Sequence, residues 1–147
     1  MTHLPQDFKE FLKSLNSHDV KYLLVGGYAV GYYGYPRATV DLDVWIQVSE
    51  DNANKIVTAL KSFGFDLPHL SRDLFLIPDR IIRMGVPPIR IEILTGISGM
   101  KFAQCYEFRV RGKIDGIDIN IIRLEDLKTN KHASGRAKDL NDLENLP

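Results

Sequence analysis

Two carboxylates at alternate positions, Asp41 and Asp43, interrupt a stretch over residues 39–48 that is otherwise rich in apolar, β-branched and aromatic types. Alternate residues of a strand project from one face, so the pair would stand side by side. Like charges that close repel unless a cation lies between them. Hard oxygen ligands on a rigid strand suit Mg²⁺, which completes its octahedron with water and substrate phosphate oxygens. Upstream, the short apolar run Tyr22-Leu23-Leu24-Val25 ends at Gly26-Gly27. Residues without a Cβ let backbone N–H groups approach a phosphate closely. A third acid, Glu92, sits inside Ile89-Arg90-Ile91-Glu92-Ile93-Leu94. If that strand lies beside residues 41–48, Glu92 faces the same cleft, and three carboxylates can hold two metal ions. One ion would orient the β- and γ-phosphates of a nucleotide, and the other would lower the pKa of an acceptor hydroxyl during in-line displacement.

Each signal also has a plainer reading. The glycines would simply turn the chain, Asp41 and Asp43 would be solvated acids of an edge strand, and Glu92 would pair with Arg90 or another basic neighbour. The order strand, Gly-Gly, helix, strand, with Arg37 and Thr39 just before the acids, favours the site. Arg37 is then a phosphate ligand or an ion-pair partner of Asp41 or Asp43. Lys128 lies on one helical face with Lys131 and His132 and is the preferred basic candidate of the three, the others reading as a solvated face. Arg136 and Lys138 read as local ion pairs with Asp139 and Asp142. Tyr28, Tyr32, Tyr33 and Tyr35 would stack on a base or belong to the core or a partner surface, and Trp45 reads as packing. His3, His18 and His69 have no metal-ligand spacing and receive no role.

The elements that must position these groups follow from periodicity. Phe8, Phe11, Leu12 and Leu15 mark a helix over residues 6–17, residues 22–25 a buried strand, and 28–33 a short helix. Residues 39–48 alternate as a strand, and a helix over 52–63 ends at Gly64. Runs at 74–77, 81–84 and 89–94 read as successive strands, and 107–111 with 117–122 as a hairpin about the segment 112–116. A helical pair covers about 124–146, broken at Gly135, with Leu140, Leu143 and Leu146 on its inner face. The expected architecture is one α/β (α+β) domain over residues 1–147, with a mixed sheet of five or six strands and helices mainly on one face.

The 147 residues suffice for one core and not for two. Lys plus Arg and Asp plus Glu both number 19, so no global field draws the chain onto nucleic acid or anionic lipid. A lone cysteine, Cys105, forms no internal disulfide, which points to a reducing compartment. The N-terminal residues offer no apolar signal core, and the longest uncharged stretch, 22–36, is broken by four glycines and a proline. A cytoplasmic protein without a membrane partner is expected.

Gly26-Gly27, Arg37-x-Thr39-x-Asp41-Leu42-Asp43 and the later acid together resemble the DNA polymerase β-type nucleotidyltransferase superfamily in its minimal bacterial form. The run Val86-Pro87-Pro88-Ile89-Arg90-Ile91-Glu92-Ile93-Leu94-Thr95, and Lys128 with Gly135-Arg136-x-Lys138-Asp139-Leu140, are similar to the nucleotidyltransferase-type toxins of bacterial toxin–antitoxin or phage-defence systems. The resemblance spans residues 24 to about 142 and implies a nucleotidyltransferase-like fold. It implies transfer of a nucleoside monophosphate from a nucleoside triphosphate, such as ATP, to a hydroxyl of RNA, protein or a small molecule, with release of pyrophosphate. Asp41, Asp43 and Glu92 would be the catalytic and metal-holding residues, for two Mg²⁺ or substituting Mn²⁺ ions. Gly26, Gly27, Arg37, Thr39 and Lys128 would bind the nucleotide, and a cognate antitoxin or a second copy would be the protein partner. Two departures stand out: many members have Gly-Ser where this chain has Gly26-Gly27, and many have Asp where it has Glu92. A non-catalytic nucleotide-binding or partner-binding module on the same fold is the alternative.

Overall fold

The computed structural model describes residues 3–36, 39, 41–65, 69–86 and 88–147. Helix α1 (Gln6–Ser17) buries Phe8, Phe11, Leu12 and Leu15, the stripe its sequence spacing sets out. Strand β1 (Tyr22–Val25) is buried along its whole length and runs into α2 (Gly26–Tyr32). Strand β2 (Asp41–Ile46) follows, then α3 (Glu50–Phe63). The Ser49 hydroxyl caps α3 by accepting from the Asn52 N–H at 3.2 Å, and Gly64, at φ +117°, closes it. Buried Asn52 also accepts from the Lys21 N–H and donates to the Lys21 and Gln47 carbonyls, tying α3 to the lower ends of β1 and β2.

The remaining elements are β3 (Ile81–Val86), β4 (Ile89–Leu94), α4 (Phe102–Glu107), β5 (Val110–Ile114), β6 (Ile117–Ile121), α5 (Leu124–Ser134) and α6 (Ala137–Asn145). The six strands form one sheet in the order β3-β4-β2-β1-β6-β5. Its β2–β4 and β1–β6 pairs are parallel and the others antiparallel, so the sheet is mixed as expected. Helix α1 packs on α3, with Phe11 edge-on to Phe63 at 5.6 Å, and reaches β6 and β4. Trp45, fully buried on β2, meets Phe102 of α4 edge-on at 5.2 Å, which is the packing role its sequence suggests. Among the described residues no helix is long and apolar enough to cross a membrane.

Three local expectations are corrected. Residues 74–77 are not a strand. The chain makes a short 3₁₀ helix at Arg72–Phe75 in which only Phe75 is buried, because so short an apolar run carries no period to separate helix from strand. Glu107 closes α4, whose Phe102, Cys105 and Tyr106 recur at helical spacing over too few residues to stand out. The hairpin turns at Asp115-Gly116, both with positive φ, and Gly112 lies within β5, where a Cβ would come within 2.6 Å of the Tyr32 hydroxyl.

The terminal helices also depart from the apolar-stripe reading. Leu140 is half exposed, whereas Asp139 and Asp142 are buried on the inner face of α6. They face Lys131, itself buried on α5, whose Nζ lies 3.1 Å from a carboxylate oxygen of each. Asp139 further accepts from the Ser134 hydroxyl and from Arg136 at 2.7 Å each. A paired cluster of charges, rather than a leucine stripe, joins these two helices.

Candidate active site

Register brings the sequence signals to one place. At the upper end of the sheet Val25 stands opposite Asp43 across the antiparallel β1–β2 pair. On the other side of β2, parallel β4 sets Arg90 opposite Asp41 and Glu92 opposite Asp43. The Gly-Gly turn, the two aspartates and the third acid therefore converge. Gly26 has φ +70°, and a Cβ there would lie 2.1 Å from an Asp43 carboxylate oxygen. Glycine is demanded both by the backbone and by the room left beside the acid. A Cβ on Gly27 would meet the Thr39 hydroxyl at 2.5 Å, so Thr39 also stands at this turn, its Oγ1 donating to the Asp41 carbonyl at 3.4 Å.

The three acids are held differently. Asp41 accepts a two-pronged hydrogen bond from Arg90, Nε and Nη2 each at 2.9 Å, and this pairing holds its carboxyl below the usual range. Glu92 is mostly buried and takes Arg83 Nε at 3.0 Å from the neighbouring strand, with Arg90 Nη2 at 3.7 Å. The ion pair foreseen as the plainer role of Glu92 is therefore present. Asp43 receives no such relief. Burial, and then the adjacent Glu92 and Asp41 carboxylates, push its pKa up to about 8, with Lys138 only partly opposing them. Among the described residues nothing hydrogen-bonds its buried Oδ1. Among the described residues no three His, Cys, Asp or Glu side chains already stand as a ligand set for an ion.

Asp43 makes stability depend on pH. Its unfolded carboxyl ionises near 3.8 and its folded one near 8, so between these values the folded state binds more protons. The contribution of the buried acid to stability should therefore decline as pH rises from about 4 to about 8. Denaturant melts of the parent and Asp43→Asn across this window check it: the neutral variant should have the flatter profile. Identical profiles would contradict the assignment.

The acids open onto a cavity of about 840 Å³ walled by Arg83, Arg90, Lys131, Arg136 and Lys138. Arg136 both pairs with Asp139, as its sequence position suggests, and reaches this wall. Lys128 is not brought there; its Nζ donates to the Pro147 carbonyl. The cavity receives Lys131 in its place. A sequence signal for Lys131 exists: it lies four residues after Leu127 on the buried face of α5. Arg37 lies outside the described residues. The tyrosines serve packing: Tyr28 is edge-on to Phe8 at 5.8 Å, and the Tyr33 hydroxyl donates to the Ile122 carbonyl. Burial, and then the neighbouring Asp126, push the Cys105 thiol up to about 12, which holds it protonated at neutral pH.

No protein-family model matches the sequence, and no curated protein matches it. Solved structures do resemble the fold. A Thermotoga maritima protein that carries the name nucleotidyltransferase aligns over 94% of this chain and 88% of its own, with a TM-score of 0.62 at 16% identity. The chain has a nucleotidyltransferase-like fold. An antigenic nucleotidyltransferase-like protein from Paracoccidioides brasiliensis aligns over 96% of this chain and 76% of its own, with a TM-score of 0.56 at 21% identity. At these identities the likeness establishes the fold alone.

Proposed function

We propose that this nucleotidyltransferase-like chain transfers a nucleoside monophosphate from a nucleoside triphosphate to an acceptor hydroxyl. The acceptor hydroxyl loses its proton to solvent, a bond forms between its oxygen and the α-phosphorus, the α–β phosphoanhydride bond breaks, and pyrophosphate leaves. The observation that carries the reading is Asp43: an acid buried against two others, with one oxygen unpartnered, at the mouth of a cavity walled by basic side chains. Such a group calls for a cation. The donor set suits Mg²⁺ or Mn²⁺, which Asp41, Asp43 and Glu92 would hold. The metal supplies neutralisation of phosphate charge and a lowered pKa for the acceptor hydroxyl.

The chain's own residues do the rest. Gly26 leaves the backbone edge beside Asp43 open, and Arg83, Arg136 and Lys138 provide positive charge for the phosphates. RNA, a protein side chain and a small hydroxyl compound all fit as acceptors, and ATP is one donor of the required class. The resemblance to toxin-type members adds a cognate antitoxin or a second copy as partner.

The ion pairs of Arg90 with Asp41 and Arg83 with Glu92 favour a second reading, a binding module whose acids are neutralised internally. Glu92→Gln separates the two. It keeps shape and removes the charge, so nucleotide affinity measured by calorimetry should change only a few-fold. Transfer should fall at least about a hundredfold, roughly 2.7 kcal/mol of transition-state stabilisation. Parental transfer in Glu92→Gln would remove this residue from the machinery.

A further inference from the structure

We propose that Arg90 is a built-in counter-ion that competes with the divalent cation for Asp41 and yields when metal and triphosphate arrive together. The inference rests on the metal-dependent reading above and assigns it a regulation. Strand β4 supplies two side chains of opposite consequence to the site: Glu92 opposite Asp43, and Arg90 opposite Asp41. Both Arg90 prongs are committed to Asp41 at 2.9 Å, so each oxygen of that carboxylate already accepts a charge-assisted hydrogen bond. Asp43 keeps a bare buried oxygen. The site is thus partly neutralised, and an ion shared between the two aspartates has to compete with a guanidinium for the charge of Asp41.

What becomes of the guanidinium decides how readily that happens. Arg90 lines the cavity together with Arg83, Arg136 and Lys138. Released by a bare metal ion, it would join these cations with no new anion to meet, at a cost in repulsion. Released when a triphosphate is present, it meets phosphate oxygens in the same fork geometry that it used on Asp41. Metal and triphosphate therefore favour one another, and the coupling is reciprocal. A site arranged this way stays closed to free metal until the nucleotide is there.

Mn²⁺ binding to the full chain without nucleotide, followed by electron paramagnetic resonance of the free ion, tests this. Arg90→Gln should bind Mn²⁺ at least tenfold more tightly than the parent. Arg90→Lys, which keeps the charge and loses the fork, should fall between them and carries the test if the glutamine variant does not fold. Lys138→Gln, which removes an equal charge from the same cavity but leaves the Arg90–Asp41 and Arg83–Glu92 pairs in place, should gain less than threefold. Equal Mn²⁺ affinity in the parent and the Arg90 variants overturns the exchange, as does an equal gain from Lys138→Gln, which would be a generic charge effect. Absence of Mn²⁺ uptake by the parent and every variant at millimolar metal overturns the metal site itself and the exchange with it.

Discussion

Asp139→Ala is expected to destabilise the protein by about 3 kcal/mol, which for a chain of this size lowers the melting temperature by roughly 6–12 °C. Asp139 is fully buried and gathers Lys131, Ser134 and Arg136, fixing α6 against the last turn of α5 and the Gly135 turn. Losing it breaks three contacts to a buried charge. The cost stays at the low end of what a broken buried pair shows, because Asp142 remains 3.1 Å from Lys131. The sign of its pH dependence is opposite to that of Asp43. Although desolvation opposes it, the bonds from Arg136, Ser134 and Lys131 hold the Asp139 pKa well below 3.8. Its contribution is therefore present above about pH 4 and is lost as pH falls through the folded value. Parent and variant should differ most at neutral pH in calorimetric melts and converge in strong acid. A difference as large in strong acid as at neutrality would show that the ion cluster is not what α6 relies on.

The double replacement Asp41→Asn with Asp43→Asn should have the larger effect on activity and little effect on the fold. Transfer should fall by roughly a thousandfold or more, about 4 kcal/mol of transition-state stabilisation. The increase in melting temperature that Mg²⁺ and nucleoside triphosphate produce in the parent should vanish, because mass action requires a site in the folded state. The unliganded variant should melt close to the parent at pH 8, since relief of the burial of Asp43 and of its repulsion by the other two acids offsets loss of the Arg90–Asp41 ion pair. A variant that melts as the parent does and still responds to metal and nucleotide would remove the two aspartates from the site.

Much of this site was readable because its signals are local. The Gly26-Gly27 turn after an apolar run, and two aspartates at alternate positions, each state their geometry within a few residues. Glu92 was different: its membership depended on β4 lying parallel to β2, a pairing that no spacing along the chain encodes. The same register hid the partner of Asp41. Arg90 was visible as a neighbour of Glu92 on its own strand, whereas its bidentate bond crosses to β2. Lys131 was set aside because a lysine on a helix normally reads as a solvated charge. Its spacing of four residues from Leu127 pointed to the buried face, but only the fold sets it against two buried acids. Short elements failed for a related reason: α4 and the 3₁₀ turn at Arg72–Phe75 are too brief to display a period and are set by the packing of Phe102 and Phe75.

The most direct test of nucleotidyl transfer uses nucleoside triphosphates labelled separately at the α- and γ-phosphates, incubated with the protein, Mg²⁺, RNA and cell extract. Label from the α position should become covalently attached to an acceptor, label from the γ position should leave as pyrophosphate, and both should cease in the Asp41→Asn, Asp43→Asn variant. Attachment of the γ label, or no attachment from any of the four nucleotides to RNA, protein or small molecules, would contradict the account.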